Sequence, residues 1–154
     1  MDILYAILGL LALTIIGFVA SLTLIKKKHT DQIKAQLEKV GTLETAKING
    51  ADFKLVTTDK TYLIKLFFAP GAYEVSFNSK RHWQIFTPSG KKMFETNGFA
   101  DIAGDKLVVI YPNPGKIVKY INENEVVFVK PTMDVFGMTV IHVDQITEFF
   151  NVEG

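Results

Sequence analysis

The chain reads as a mixed-sheet α/β domain behind one N-terminal transmembrane helix, with a β-rich barrel or sandwich as the alternative. Three observations carry that reading. Ile3 to Ile25 is an unbroken uncharged run closed by Lys26-Lys27-Lys28. Segments of alternating polarity, separated by turn signals, fill the first half of the chain beyond these lysines. Two continuous apolar runs, Leu107 to Tyr111 and Val126 to Val129, flank a stretch with helical spacing.

The apolar run has 23 residues. As a helix it reaches roughly 35 Å, against a hydrocarbon core of about 30 Å. Its hydroxyls, on Tyr5, Thr14, Ser21 and Thr23, are small polar loads that a helix satisfies with its own carbonyls. A cleaved signal sequence would want a basic start, a shorter apolar core and a small-x-small site. The chain opens Met1-Asp2 and shows no such site before Lys26. The expected arrangement is a transmembrane anchor with basic stop signal over 1–29 and a single α/β domain over 30–154. Basic residues follow the span and none precedes it. The positive-inside rule therefore places the N-terminus outside and the domain in the cytoplasm, on a single-pass protein of the cell membrane. Lys26, Lys27 and Lys28 are the membrane-interface residues, and the lipid bilayer is the expected partner of Ile3 to Ile25.

Element by element, Thr30-Asp31 reads as a helix start and Ile33, Leu37 and Val40 recur at helical spacing, with Gly41 as C-cap; this predicts a helix over 31–40. Leu43 to Ile48 alternates and Asn49-Gly50 signals a turn. Phe53 to Thr57 is the next strand and Thr58-Asp59-Lys60 the next turn. Tyr62 to Phe68 has the composition of a buried strand, ended by Pro70-Gly71. Tyr73 to Phe77 alternates, and His82 to Phe86 is a strand closed by Pro88-Ser89-Gly90. Leu107 to Tyr111 reads as a strand covered on both faces. Ile117, Val118 and Ile121 predict a short helix ending near Asn124, and Val126 to Val129 a second continuous apolar strand, hence a parallel pair with a crossover helix. Thr139 to Val143 is a strand, and Asp144 caps a final turn that carries Ile146, Phe149 and Phe150 inward.

Charge and composition narrow the function. Setting aside Asp2, 17 Lys+Arg face 15 Asp+Glu, a balance of +2. That is not the basic excess of a non-specific nucleic-acid binder. With Cys 0 the chain has no thiol nucleophile, disulfide or thiolate zinc site. His29, His82 and His142 lack metal-ligand spacing. Lys80, Arg81, His82 and Trp83 combine charge and an aromatic, as a stacking patch for nucleic acid would, but Trp83 reads first as core.

The grouping that points to chemistry is Asp52 and Lys65 on neighbouring strands. The order helix, strand, Gly50-Ala51-Asp52, turn and Tyr62-Leu63-Ile64-Lys65-Leu66 resembles the restriction endonuclease-like (PD-(D/E)xK) nuclease superfamily over about residues 31–130. The resemblance implies that Asp52 is a metal-binding carboxylate and Lys65 a catalytic lysine, with Mg²⁺ as cofactor. The family's acid-x-Lys reads Leu63-Ile64-Lys65 here, so its second carboxylate is missing. Glu38 or Glu44 would have to supply it. Without that acid no cofactor is expected.

The sequence thus leads to a membrane-tethered, non-catalytic binding or scaffold domain. Its alternatives are a membrane-tethered, divalent-metal-dependent nuclease using Asp52, Lys65 and Glu38 or Glu44, and a β-rich protein-interaction domain. No residue names a protein partner.

Overall fold

A computed structural model describes residues 2–152. It is mixed α/β, with one long apolar N-terminal helix and two mixed sheets. The chain divides into two compact units between Gln32 and Ile33.

The first unit is helix throughout its described length. It belongs to α1 (Asp2–Leu37), the one helix among the described residues long and apolar enough to cross a membrane. Its hydroxyls bond within the helix: Thr14 Oγ1 donates to the Leu11 carbonyl at 2.7 Å, Ser21 Oγ to Phe18 at 2.7 Å and Thr23 Oγ1 to Val19 at 2.9 Å. Each thereby satisfies a polar group that hydrocarbon would leave bare.

The expected helix over 31–40 is not a separate element. Thr30 starts nothing: it is helical, and its Oγ1 donates back to the Lys26 carbonyl at 2.9 Å. The apolar run and the amphipathic turn have compatible helical periods with no breaker between them, so α1 runs through. It ends at Leu37, and the Gly41 amide reaches the Leu37 carbonyl at 3.2 Å. Gly41 is needed for proximity, since a Cβ there would collide with the Val56 carbonyl.

In the second unit, β1 (Thr42–Thr45), β2 (Phe53–Val56), β3 (Thr61–Phe68), β7 (Asp105–Tyr111) and β10 (Thr139–His142) form an inner sheet in that order. The first two pairings are antiparallel, and β3–β7 and β7–β10 are parallel. An outer sheet runs β6 (Gly90–Glu95), β5 (His82–Thr87), β4 (Glu74–Phe77), β8 (Lys116–Asn122), β9 (Glu125–Phe128). Only β4–β8 is parallel there.

Leu63, Phe67, Val108, Ile110 and Val140 of the inner sheet meet Val75, Phe77, Trp83, Ile85 and Ile117 of the outer sheet in one core. Trp83 is fully buried, with Phe77 at 4.8 Å and Phe67 at 5.2 Å between ring centroids. A second core fills the other face of the inner sheet. There Phe53, Leu55, Tyr62, Ile64, Leu107, Val109 and Ile141 pack with Ile33 and Leu37 of α1 and with Ile146 and Phe149 of α2 (Ile146–Val152). The layers are therefore helices, inner sheet, outer sheet. Covered on both sides, β7 is buried from Lys106 to Tyr111, as its continuous apolar run implies.

Three expectations fail. Residues 117–124 are not a crossover helix. Ile117 and Val118 are both buried, on opposite faces of β8, and Ile, Val and Tyr favour the strand. Asn122 to Glu125 is the turn of a β8–β9 hairpin, with the Asn124 amide on Asn122 Oδ1 at 2.9 Å. Val126 to Val129 therefore pairs antiparallel with β8 in the outer sheet, and the parallel neighbours of β7 are β3 and β10. Asp144 is not the cap of α2; the chain turns through His142, whose amide donates to Gln145 Oε1 at 2.9 Å. Finally β6 (Gly-Lys-Lys-Met-Phe-Glu) has no counterpart in the sequence reading, because its paired lysines hide the alternation.

Candidate functional site

The connection 57–60 between β2 and β3 has four residues, with Val56 opposite Thr61 and Phe53 opposite Ile64. Lys54 pairs with the buried Leu63 of the inter-sheet core. Period-two alternation therefore turns Lys54, Leu63 and Lys65 toward the outer-sheet side. Asp52 sits one residue before β2.

Asp52 works on the backbone. Its amide donates to the Ile64 carbonyl at 2.8 Å, and its Oδ2 accepts the Leu66 amide at 2.7 Å. The carboxylate continues the β2–β3 ladder where the chain has already turned away at 48–51. Lys65 is half-buried. Its ammonium donates to the Gly50 carbonyl at 3.0 Å and lies 5.8 Å from the centroid of Phe99. Phe99 is fully buried in a short 3-10 turn, Phe99–Asp101. Gly50, at φ 95°, is wedged against this segment; a Cβ there would lie 3.2 Å from the Asn97 carbonyl. Two residues singled out for chemistry thus fasten the 48–51 turn to the sheet. Asn49-Gly50 marks the turn in sequence, but no sequence signal marks the Leu66 amide or Phe99 as its neighbours.

The candidate second acids lie elsewhere. Glu44 is opposite Lys54 on β1, its Oε2 3.9 Å from Nζ, with both groups exposed. It borders a cleft of about 520 Å³ shared with Lys47, Ile48, Thr61, Leu63 and Gly104. Glu38 is in the turn after α1, at the Thr42–Val56 end of the β1–β2 pair, whereas Asp52 is at the other end. No group of three or more His, Asp or Glu side chains gathers to hold a metal among the described residues. Mg²⁺ needs several oxygens in near-octahedral order. One carboxylate, with Leu63 at the second acid's position, does not fit it.

The basic group at 80–83 also resolves. Trp83 is core. Arg81 donates to Asp101 Oδ2 through Nε at 3.1 Å and Nη2 at 2.9 Å, and Lys80 lies 4.0 Å from Oδ1. Asp101 thus partly neutralises the patch. His82 Nδ1 is 3.2 Å from Ser79 Oγ, inside its own turn. Lys26, Lys27 and Lys28 lie on α1 directly after the apolar run.

Two groups have displaced titrations. Lys116 is held above its ordinary value by the hydrogen bond and charge of Glu74, whose Oε2 is 2.7 Å away on β4. His142 is pushed below 6.5 by burial, with Asp144 opposing.

No protein-family model, curated protein or solved structure matches this chain.

Proposed function

We propose that the chain is a single-pass protein of the cell membrane whose folded part is a non-catalytic binding or scaffold module. Its N-terminus lies outside and the module in the cytoplasm, by the lysines that follow the apolar run. The observation that carries the non-catalytic reading is the use made of Asp52 and Lys65. Each is bonded to a backbone group, at 2.7 and 3.0 Å, and the residue two before Lys65 is a buried leucine. A lysine that helps to activate water must face the reacting atoms, and Mg²⁺ needs more oxygens than one carboxylate supplies.

A restriction endonuclease-like origin is kept as the family reading. Its support is the order α1, β1, Gly50-Ala51-Asp52, β2, β3 with Lys65, together with the strand parity that turns Lys65 to the outer-sheet side. On that reading the scaffold persists and the chemistry does not.

The test uses the full-length protein in membranes, with duplex DNA, single-stranded DNA and RNA, in Mg²⁺, in Mn²⁺ and in chelator, beside Asp52→Ala and Lys65→Ala. The expected result is no metal-dependent cleavage by any of the three. Cleavage by the parent that both substitutions abolish would establish the nuclease and overturn the proposal.

A further inference from the structure

The outer sheet ends in two unlike edges. β6 carries Lys91, Lys92 and Glu95, and charges on an edge strand discourage further pairing. β9 carries none between Glu125 and Lys130. Val126 is 50% and Phe128 67% exposed, and Val127 between them is half-buried.

The ladder shows which backbone groups β9 leaves open. The Val129 amide donates to the Ile117 carbonyl at 2.9 Å, and Lys119 is opposite Val127. Peptide groups alternate along a strand, so those of residues 127 and 129 face β8 and those of Val126 and Phe128 face outward. Among the described residues, no backbone hydrogen bond occupies these outward groups.

We propose that this edge pairs with the same edge of a second copy of the chain, antiparallel, with Val127 opposite Val127 on a two-fold axis. Three features select this occupant. First, a shared face requires residues of like parity to be opposite, and of the registers that meet this the one centred on Val127 sets Val126 against Phe128 of the second copy. Those two residues have the outward peptide groups, so the register forms complete hydrogen-bonded pairs on both sides of the axis. Second, Val126 and Phe128 of both copies join in one apolar row, continuous with Val118 and Tyr120, their partners on β8. Third, the flanking charges are self-complementary. Glu123 and Glu125 stand at one end of the strand and Lys130 at the other, so antiparallel pairing brings acid to base. Parallel pairing would set Glu125 against Glu125. Tethering to one membrane raises the effective concentration of copies further. The inference deepens the interaction-module reading and rests on it.

The chain has no cysteine, so single cysteines report cleanly. Val127→Cys in the full-length protein, in membranes under mild oxidation, should give a disulfide-linked band at twice the chain mass, since Cα atoms opposite each other in such a pair are about 4.5 Å apart. Adding Val126→Pro should abolish the band. It removes an outward N–H that β8 does not use and leaves the internal ladder whole. Val126→Cys and Phe128→Cys should cross-link when co-expressed and not when alone, which tests register without altering Val127. Lys91→Cys, on the guarded edge, should not cross-link.

No band at Val127→Cys, a band that survives Val126→Pro, equal cross-linking through Lys91→Cys, or a product at the mass of a different protein would each overturn the self-pairing. Metal-dependent cleavage in the nuclease assay would strike the interaction-module reading instead, so the two failures are distinguishable.

Discussion

The inner and outer sheets have five strands each and share one core, yet they are put to different uses. The inner sheet is covered twice, by the outer sheet on one face and by α1 and α2 on the other. Three charged residues in or beside it hold backbone together, Asp52 on the Leu66 amide, Lys65 on Gly50, and the buried Lys106 on the Ile102 and Gly104 carbonyls, while Glu44 and Lys54 stay exposed. The outer sheet is covered by another layer on one face only. On its far face Ser76, Gln84 and Val118 are still buried, while Met93 is 52% exposed and the sheet ends at the bare β9 edge. What the outer sheet leaves to solvent is chiefly its β9 edge, where Val126 is 50% and Phe128 67% exposed. The motif-like residues therefore hold the scaffold, and the open edge lies in a strand with no motif.

The contrast is easiest to break with paired truncations. Ile64→Ala, in the doubly covered sheet, should destabilise by about 2–5 kcal/mol, while Val126→Ala on the exposed face should stay within about 0.5 kcal/mol. Urea unfolding of the full chain in detergent measures both. Equal losses would mean that the outer face is covered after all.

Gly41→Ala should cost about 1–3 kcal/mol in the same assay, because the Val56 carbonyl occupies the space a Cβ needs. A neutral result would show that the turn between α1 and β1 can move away from β2.

Asp52→Ala should cost about 0.5–1.5 kcal/mol, the worth of one exposed hydrogen bond to an amide. Hydrogen exchange at Leu66 should quicken with it. Unchanged exchange would remove the structural role assigned to this carboxylate.

The smallest effect is a pH slope. The folded state binds a proton at His142 less readily than the unfolded chain, whose ring titrates near 6.5. The stability that comes from the neutral ring is therefore full above that value and is lost as pH falls below it toward the folded pKa. Tm followed downward from pH 7 should decline, and His142→Gln should flatten part of the decline. Identical slopes would assign the decline to other groups.

The legible parts of this molecule are those whose cause is local. An uncharged run long enough to span, closed by three lysines, needs no tertiary partner to be read. Leu107 to Tyr111, a short run of β-formers apolar at every position, is a strand covered on both faces, whereas the similar run Val126 to Val129 is an exposed edge strand, so the run alone does not decide coverage. Trp83 goes to the core by its size alone. Ile117, Val118 and Ile121 fit a helix and a strand equally in spacing, and it is the pairing of β8 with β4 and β9 that decides between them. The helix over 31–40 reads as separate because Thr30-Asp31 resembles a cap, and a cap signal has force only where the preceding residues are not already helical.

The candidate site divides in the same way. The order Gly-x-Asp, strand, strand with lysine is written in the chain, as is the leucine that replaces the second acid. Whether Asp52 and Lys65 face a ligand or the backbone depends on where the 48–51 turn and the Phe99 segment come to rest. Those contacts join residues far apart in the chain, and local preference does not encode them. The apolar helix, the buried strands and the absent carboxylate each follow from the chemistry of adjacent residues, and the order of residues alone settles them. The division of those strands into two sheets, the capture of the charged pair by the backbone and the place of β9 at an open edge are settled only by folding, because strand partners are chosen by packing across the whole domain.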